Sequence, residues 1–233
     1  MLDRNVYIDG EYLKSNPRWH VDEAQFKVNQ ILRMMRKHQL RPQSICDVGC
    51  GAGEVLRLLH DRMDNRCVFC GYDISPHALE MCKGRANERV HFKLGDVGQQ
   101  AEGTFFDLML VLDVVEHVED YFGFLTAIRP KSELKIFHIP LDLSVQTVLR
   151  KGALQKRRRL HSHIHYFTKE TALATLRDSG YQILDYFFTS HSIECGDEIG
   201  QKILRIPRKL CFAVHQELTV RMLGGYSLLA LAR

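Results

Sequence analysis

Across residues 44–139, short apolar runs of strand length alternate with amphipathic stretches of helix length, and few folds accommodate that rhythm. Strand-like runs occupy 44–48, 67–72, 90–94, 106–112 and 134–139, and helix-like stretches occupy 54–63, 76–85 and 114–128. Strands joined through helices close by right-handed crossovers, so the rhythm predicts an α/β fold, a doubly wound, mostly parallel sheet covered on both faces. Ahead of it, Phe26, Val28, Ile31, Leu32 and Met35 recur at helical spacing, predicting an N-terminal helix over 22–38 that Arg41-Pro42 ends. After Pro140 the pattern changes. Residues 141–165 read as an irregular, basic insertion over the substrate, containing the run 156–159 (Lys-Arg-Arg-Arg). Thr168 then caps a helix to about Asp178, which Gly180 stops, and two final strands, 181–188 and 226–231, flank a helical segment broken by Pro207. The length suits one domain over residues 1–233.

Within that frame the most informative segment is Ile45-Cys-Asp-Val-Gly-Cys-Gly-Ala-Gly-Glu54, which leaves the first strand and opens a helix. This is where a ligand meets the carboxyl end of such a sheet. Gly49, Gly51 and Gly53 let the backbone turn sharply and approach the ligand closely. The helix start near Glu54 offers free N–H groups to a carboxylate. The spacing is G-x-G-x-G rather than G-x-G-x-x-G, and Asp47 precedes it. An acid there repels a pyrophosphate but can hold an ammonium, which argues against a dinucleotide and for an amino-acid-bearing cofactor. Asp73 ends the second strand, where a carboxylate can accept hydrogen bonds from both ribose hydroxyls. Asp96 ends the third and can accept from an adenine amino group. Each aspartate alone reads as a turn residue. At successive strand ends they describe one adenosyl ligand.

The segments D-V-G-C-G-A-G, G-Y-D-I-S, G-D-V and D-V-V-E-H-V-E-D resemble the motifs of class I S-adenosylmethionine (SAM)-dependent methyltransferases, over roughly residues 20–190. The likeness is nearest to quinone-biosynthesis and other small-molecule methyltransferases. It implies a Rossmann-like, seven-stranded sheet whose last strand is antiparallel, here 225–233. It implies SAM as cofactor and S-adenosylhomocysteine as product. Asp47 and the glycines would meet the methionine part, Asp73 with Ile74 the ribose, Asp96 with Val97 the adenine, and Leu112 with Asp113 the region of the methyl group. One departure stands out: the Gly-Gly turn usual before the fifth strand is replaced by Arg129-Pro-Lys-Ser-Glu-Leu134.

Methyl transfer from a positive sulfur needs no metal; it needs the nucleophile close and in line, helped by a base where a proton must leave. In 113–118, Asp113, Glu116 and His117 would share one helix face, with Asp113 also serving as N-cap and Glu116 as its capping partner. His117 follows the fourth strand beside the methyl group. His163, in the alternating His161-Ser-His-Ile-His165, matches a family histidine that precedes Phe167-Thr168 and would face it from the insertion. These two are the expected catalytic bases, His163 ahead of His117. A divalent ion on Asp113, Glu116 and His117 is the minority alternative, because three ligands from one helix rarely complete a site; no metal is expected.

The net charge of +4 gives weak grounds for a nucleic-acid partner. The seven cysteines are scattered, and Cys67 and Cys70 lie in a strand-like run whose i and i+3 positions face opposite ways. They read as buried thiols of a reducing compartment. The first residues lack a signal peptide's apolar stretch, and no apolar run is long enough to span a bilayer, so a cytoplasmic protein is expected. The acceptor expected is a small molecule, methylated at oxygen. The alternatives are an RNA acceptor engaged by 156–159 and a SAM-binding protein without catalysis. The N/D/S-P-P-Y/F motif of enzymes that methylate nucleic-acid amino groups is missing where Asp113-Val-Val-Glu116 stands.

Overall fold

The computed structural model describes residues 5–100, 104–191 and 199–233. The first four residues, part of the stretch read as lacking a signal, lie outside it. Three helices come first: α1 (Asn5–Ile8), α2 (Glu11–Ser15) and α3 (Val21–Lys37). Then β1 (Ser44–Val48), α4 (Glu54–His60), β2 (Val68–Asp73), α5 (Pro76–Cys82), β3 (Val90–Leu94), β4 (Phe106–Leu112), α6 (Tyr121–Ile128) and β5 (Ser132–Pro140) follow. The remainder comprises α7 (Val145–Leu149), α8 (Ala153–His161), α9 (Lys169–Asp178), β6 (Ile183–Thr189), α10 (Ile199–Val214), α11 (Gln216–Met222) and β7 (Ser227–Ala232). The strands form one seven-stranded sheet in the order β3-β2-β1-β4-β5-β7-β6. β1 to β5 run parallel, while β7 pairs antiparallel with both β5 and β6.

Strand alternation sends side chains into two cores. On β4, Leu108, Leu110 and Leu112 join Ile31 and Met34 of α3 and Leu56 and Leu59 of α4 on one face. Met109 and Val111 join Phe137, Ile139, Leu125 and Ile128 on the other. The order reverses beside β1, whose carboxyl end is therefore open to a ligand. The buried cysteines 46, 50, 67, 70 and 82 are all free thiols, and no helix is long and apolar enough to cross a membrane among the described residues.

Three expectations need correction. The helix expected over 114–128 begins only at Tyr121, where Asp120 accepts from Gly123 N at 2.8 Å. Asp113 is no cap, because its φ of 55° turns the chain sharply after β4; a short 3₁₀ turn, Val115–His117, fills the gap. Residues 141–165 hold α7 and α8, elements of 5 and 9 residues that are too short for periodicity to reveal. Pro207 lies inside α10 rather than breaking it, and Phe212 of that helix stacks on Tyr226, ring centroids 5.3 Å apart. The missing Gly-Gly turn is a 3₁₀ turn, Arg129–Lys131, locked by Lys135 Nζ, which donates to Arg129 O at 2.8 Å and Ser132 O at 2.7 Å. Replacing Asp120 by Ala removes the cap of α6 and is expected to cost about 1 kcal/mol in a urea denaturation series; an unchanged midpoint would place the helix start elsewhere.

Candidate active site

A cavity of about 510 Å³ opens at the carboxyl ends of β1, β2, β3 and β4, lined by Gly49, Asp73, Ile74, Asp96, Asp113 and His117 among others. Its floor is set by the turn after β1. The amides of Gly49 and Cys50 both donate to Tyr72 O, at 2.8 and 3.0 Å, folding the turn against the end of β2. Gly49 has a φ of +69°, and a Cβ there would come within 2.8 Å of Val114 Cγ2, so only glycine fits.

Asp73 ties two segments together. Its Oδ2 accepts from Gly51 N and its Oδ1 from Ser75 N, both at 2.8 Å. A carboxylate has about four lone-pair sites, so roughly two remain for ligand hydroxyls. Burial raises its pKa, and the backbone hydrogen bonds oppose that shift. Asp96 Oδ1 accepts from Gly98 N at 2.8 Å and fixes the 3₁₀ turn after β3. Asp47 is 2% exposed and stands behind the wall, its carboxyl pushed up to about 7 by burial. Gly51, Gly53, Val97 and Leu112 likewise lie off the wall.

At the far side the turned backbone of Asp113 presents its carboxylate to Lys27 Nζ at 2.7 Å and His138 Nδ1 at 2.6 Å, while His138 Nε2 meets Thr189 Oγ1 at 2.9 Å. Although burial works against the charge, His138 and Lys27 hold the Asp113 carboxyl well below the usual range. Glu116 and His117 follow in the turn. Glu116 is fully buried, and neither carboxyl oxygen has a hydrogen-bond partner. His117 Nδ1 lies 3.1 Å from Ser162 O and 3.0 Å from Tyr7 Oη. Burial, reinforced by His163, pushes the His117 imidazole down to about 4, so it is neutral near pH 7.

His163 stands behind His117, ring centroids 5.0 Å apart, and does not reach the wall. Its Nδ1 is held by Asp142 Oδ2 at 2.6 Å, and Asp142 Oδ1 meets Arg157 at 3.0 Å. The three histidines of 161–165 do not share one face: Ser162 is left-handed at φ 60°, His161 packs 5.7 Å from His163, and His165 turns to Tyr121 at 4.7 Å. Arg157 thus faces inward, while Lys156, Arg158 and Arg159 are exposed.

The sequence reading missed the roof. Tyr7, Tyr12 and Trp19 line the cavity, with Tyr12 5.0 Å from Trp19 and 4.9 Å from Tyr7. Trp19 lies directly over the Gly51 α-carbon. The signal available was a run of aromatics carrying the chain's single tryptophan, in a stretch too short to show a period. His138 was also missed, because its partners lie 25 and 51 residues away.

A family model described as a methyltransferase domain matches residues 21–186. The chain belongs to that family. Ajmaline N-methyltransferase of Rauvolfia serpentina is 28% identical over 115 residues, 45% of this chain and 39% of that enzyme. The chain thus aligns with well under half of that relative's length. Among solved structures, a putative methyltransferase bound to the Trm112 activator of Haloferax volcanii superposes with a TM-score of 0.66 at 12% identity, covering 97% of this chain and 95% of that one. The magnesium protoporphyrin IX methyltransferase of Synechocystis, solved with S-adenosylhomocysteine, gives 0.59 at 18% identity, covering 90% and 83%. The fold is that of class I SAM-dependent methyltransferases, and SAM is the family's cofactor. The residues present fit it: the cavity falls in the range of roughly 300–1,000 Å³ that encloses such ligands, Gly49 leaves room where a Cβ would clash, and Asp47, whose carboxyl burial pushes up to about 7, has a charged form that a ligand ammonium would stabilise.

The Lys27–Asp113–His138 chain yields a test. Replacing Lys27 by Met is expected to cost about 2 kcal/mol, below the roughly 3–5 of a fully buried pair, because the Asp113 side chain is 24% exposed and keeps His138. Since Asp113 has a depressed folded pKa, its contribution is present above the ordinary aspartate value and is lost as pH falls below it. Without Lys27 that contribution is smaller, so less acid is needed to unfold the chain and the acid-unfolding midpoint should move up; a midpoint at or below that of the parent would contradict the pairing.

Proposed function

We propose that this protein transfers the methyl group of SAM to a small molecule at an oxygen atom. The observation that supports the proposal is a single cavity lined by Asp73, Asp96 and His117 alike; in this reading the Asp73 and Asp96 side takes the adenosyl group and the His117 side the acceptor. Bound SAM supplies a methyl group on a positive sulfur. In this reading Asp73 accepts from the ribose hydroxyls through its remaining lone pairs, and Ile74 packs beside them. Asp96 accepts from the adenine amino group, with Val97 buried beneath. Gly49 passes the methionine chain close to the backbone, and Asp47 sets a negative charge behind the ammonium, with Gly51, Gly53 and Leu112 shaping the turn and strand end behind it. Tyr7, Tyr12 and Trp19 exclude water, which strengthens each of these contacts.

Of the two histidines assigned to catalysis, His117 is the one placed to touch the acceptor. His163 acts through it, from a position fixed by Asp142. A hydroxyl acceptor suits this end because its proton must be drawn off as the methyl arrives, and neutral imidazole and carboxyl groups converge there. A nitrogen acceptor is the second reading: the names of the Rauvolfia relatives, ajmaline and norajmaline N-methyltransferases, favour it. RNA fits less well, since Arg157 is committed to Asp142 and the rest of 156–159 is a single exposed turn of α8.

Asp73→Ala is expected to lose about 1.5–3 kcal/mol of SAM affinity by calorimetry; a folded variant with unchanged affinity would remove Asp73 from the site. With an acceptor found by screening phenols, quinone precursors, carboxylates and amines, His117→Ala should lower turnover by roughly 100-fold or more while SAM still binds. Unaltered turnover would detach His117 from the reaction, and SAM binding with no acceptor turned over would favour a binding protein.

A further inference from the structure

We propose that a second cavity, between α2 and α8, binds an acidic group, a phosphate or a carboxylate, carried by the methyl acceptor. The inference rests on the small-molecule acceptor of the proposed function and names its chemical class. The cavity holds about 430 Å³. From α8 it is lined by Gln155, Arg158 and Arg159; these stand at i, i+3 and i+4 and therefore share one helix face. From α2 it is lined by Glu11, Tyr12 and Ser15. Asn16 clamps the two walls together, its Nδ2 donating to Leu160 O at 3.3 Å.

The charge of that face favours an anion. Arg157 turns away from it and gives its guanidinium to Asp142 at 3.0 Å, while Lys156 is exposed and lies off the cavity. Arg158 and Arg159 both line it, and neither guanidinium has a hydrogen-bond or ion-pair partner among the described residues. Glu11 is the one acid of the lining and pairs with neither, so two guanidinium groups stand against a single carboxylate. The planar fork of an arginine matches two oxygens of a carboxylate or phosphate at once. The hydroxyls of Ser15 and Ser162 and the amide of Gln155 add neutral donors on the same lining.

The position of the cavity connects that anion to the acceptor. Val6, Tyr12 and Ser162 line both this cavity and the active-site cavity, so the two adjoin at those residues. Ser162 O lies 3.1 Å from His117 Nδ1, which places the anion-binding face one residue from the histidine assigned to the acceptor. Between them, the Val6 side chain and the Tyr12 ring offer an apolar surface to a carbon skeleton. An acceptor with its reacting atom at His117 and its acidic group at Arg158 and Arg159 spans the two cavities. The basic run 156–159 then divides by side-chain direction: one arginine builds the fold, and two select the substrate.

The test has a binding arm and a turnover arm. In the first, phenyl phosphate and phenol are titrated into the full chain with S-adenosylhomocysteine present, and binding is read by phosphorus NMR and by the fluorescence of Trp19, the chain's single tryptophan, 5.0 Å from Tyr12. Phenyl phosphate should bind saturably and more tightly than phenol by roughly 10-fold or more. The double variant Arg158→Gln with Arg159→Gln should abolish that difference, and Lys156→Gln, which removes the same charge type outside the cavity, should preserve it. In the second arm, phenols and quinone precursors are assayed with and without a phosphate or carboxylate group. The acidic member of each pair should have the lower KM, and the double variant should raise that KM while kcat holds. Calorimetric SAM affinity should stay intact in each variant, which keeps failure of this site distinct from failure of the cofactor site. Equal binding of phenol and phenyl phosphate, an equal loss in Lys156→Gln, or an acidic preference that survives the double variant would overturn the proposal. So would inorganic phosphate raising turnover of the uncharged acceptors, because the anion would then be an effector and no part of the substrate.

Discussion

The carboxylate of Asp73 is the constraint on which the β1–β3 side of the cavity depends. Its two oxygens hold the amide of Gly51 and the amide of Ser75, so the turn after β1 and the entry to α5 are fixed relative to one another. The carbonyl of the same residue receives Gly95 N at 2.8 Å, which ties in the end of β3 as well. One residue thus ties three strand ends together, through Gly51, Ser75 and Gly95. Hydrogen bonds to a buried carboxylate are among the stronger polar contacts in a protein, so the site is stiff where the adenosyl group would lie.

The Asp113 and His117 side is organised differently, by pairs of charges drawn from distant segments. Lys27 of α3 reaches Asp113, and Arg157 of α8 reaches Asp142. Each pair positions a histidine: His138 beside Asp113, and His163 beside Asp142. Glu116 lies between the two systems and belongs to neither.

Much of this was legible in the sequence where one local rule was enough. β1, β3 and β4 begin and end where their apolar runs do, and the G-x-G-x-G turn with its preceding acid could be told from a dinucleotide loop by spacing and charge alone. The reading failed where the backbone departs from regular periods. Asp113 takes up a positive φ, which non-glycine residues rarely adopt, so the helix expected to start there gives way to a tight turn. Helix α7 has 5 residues, fewer than two turns, and leaves no period to detect. The inward reach of Arg157 within a run of basic residues, and the partnership of Asp113 with Lys27 and His138, depend on contacts between residues far apart in the chain, which no local pattern encodes.

The central claim is that the wall from Asp73 to His117 seats a SAM molecule with its methyl group toward the His117 end. A crystal structure with S-adenosylhomocysteine tests it most directly. The account predicts ribose hydroxyls within hydrogen-bond distance of Asp73, the adenine edge at Asp96, and the sulfur on the side of the cavity where Asp113 and His117 stand. Density for the nucleoside outside this cavity, or a reversed ligand with its adenine at His117, would contradict it.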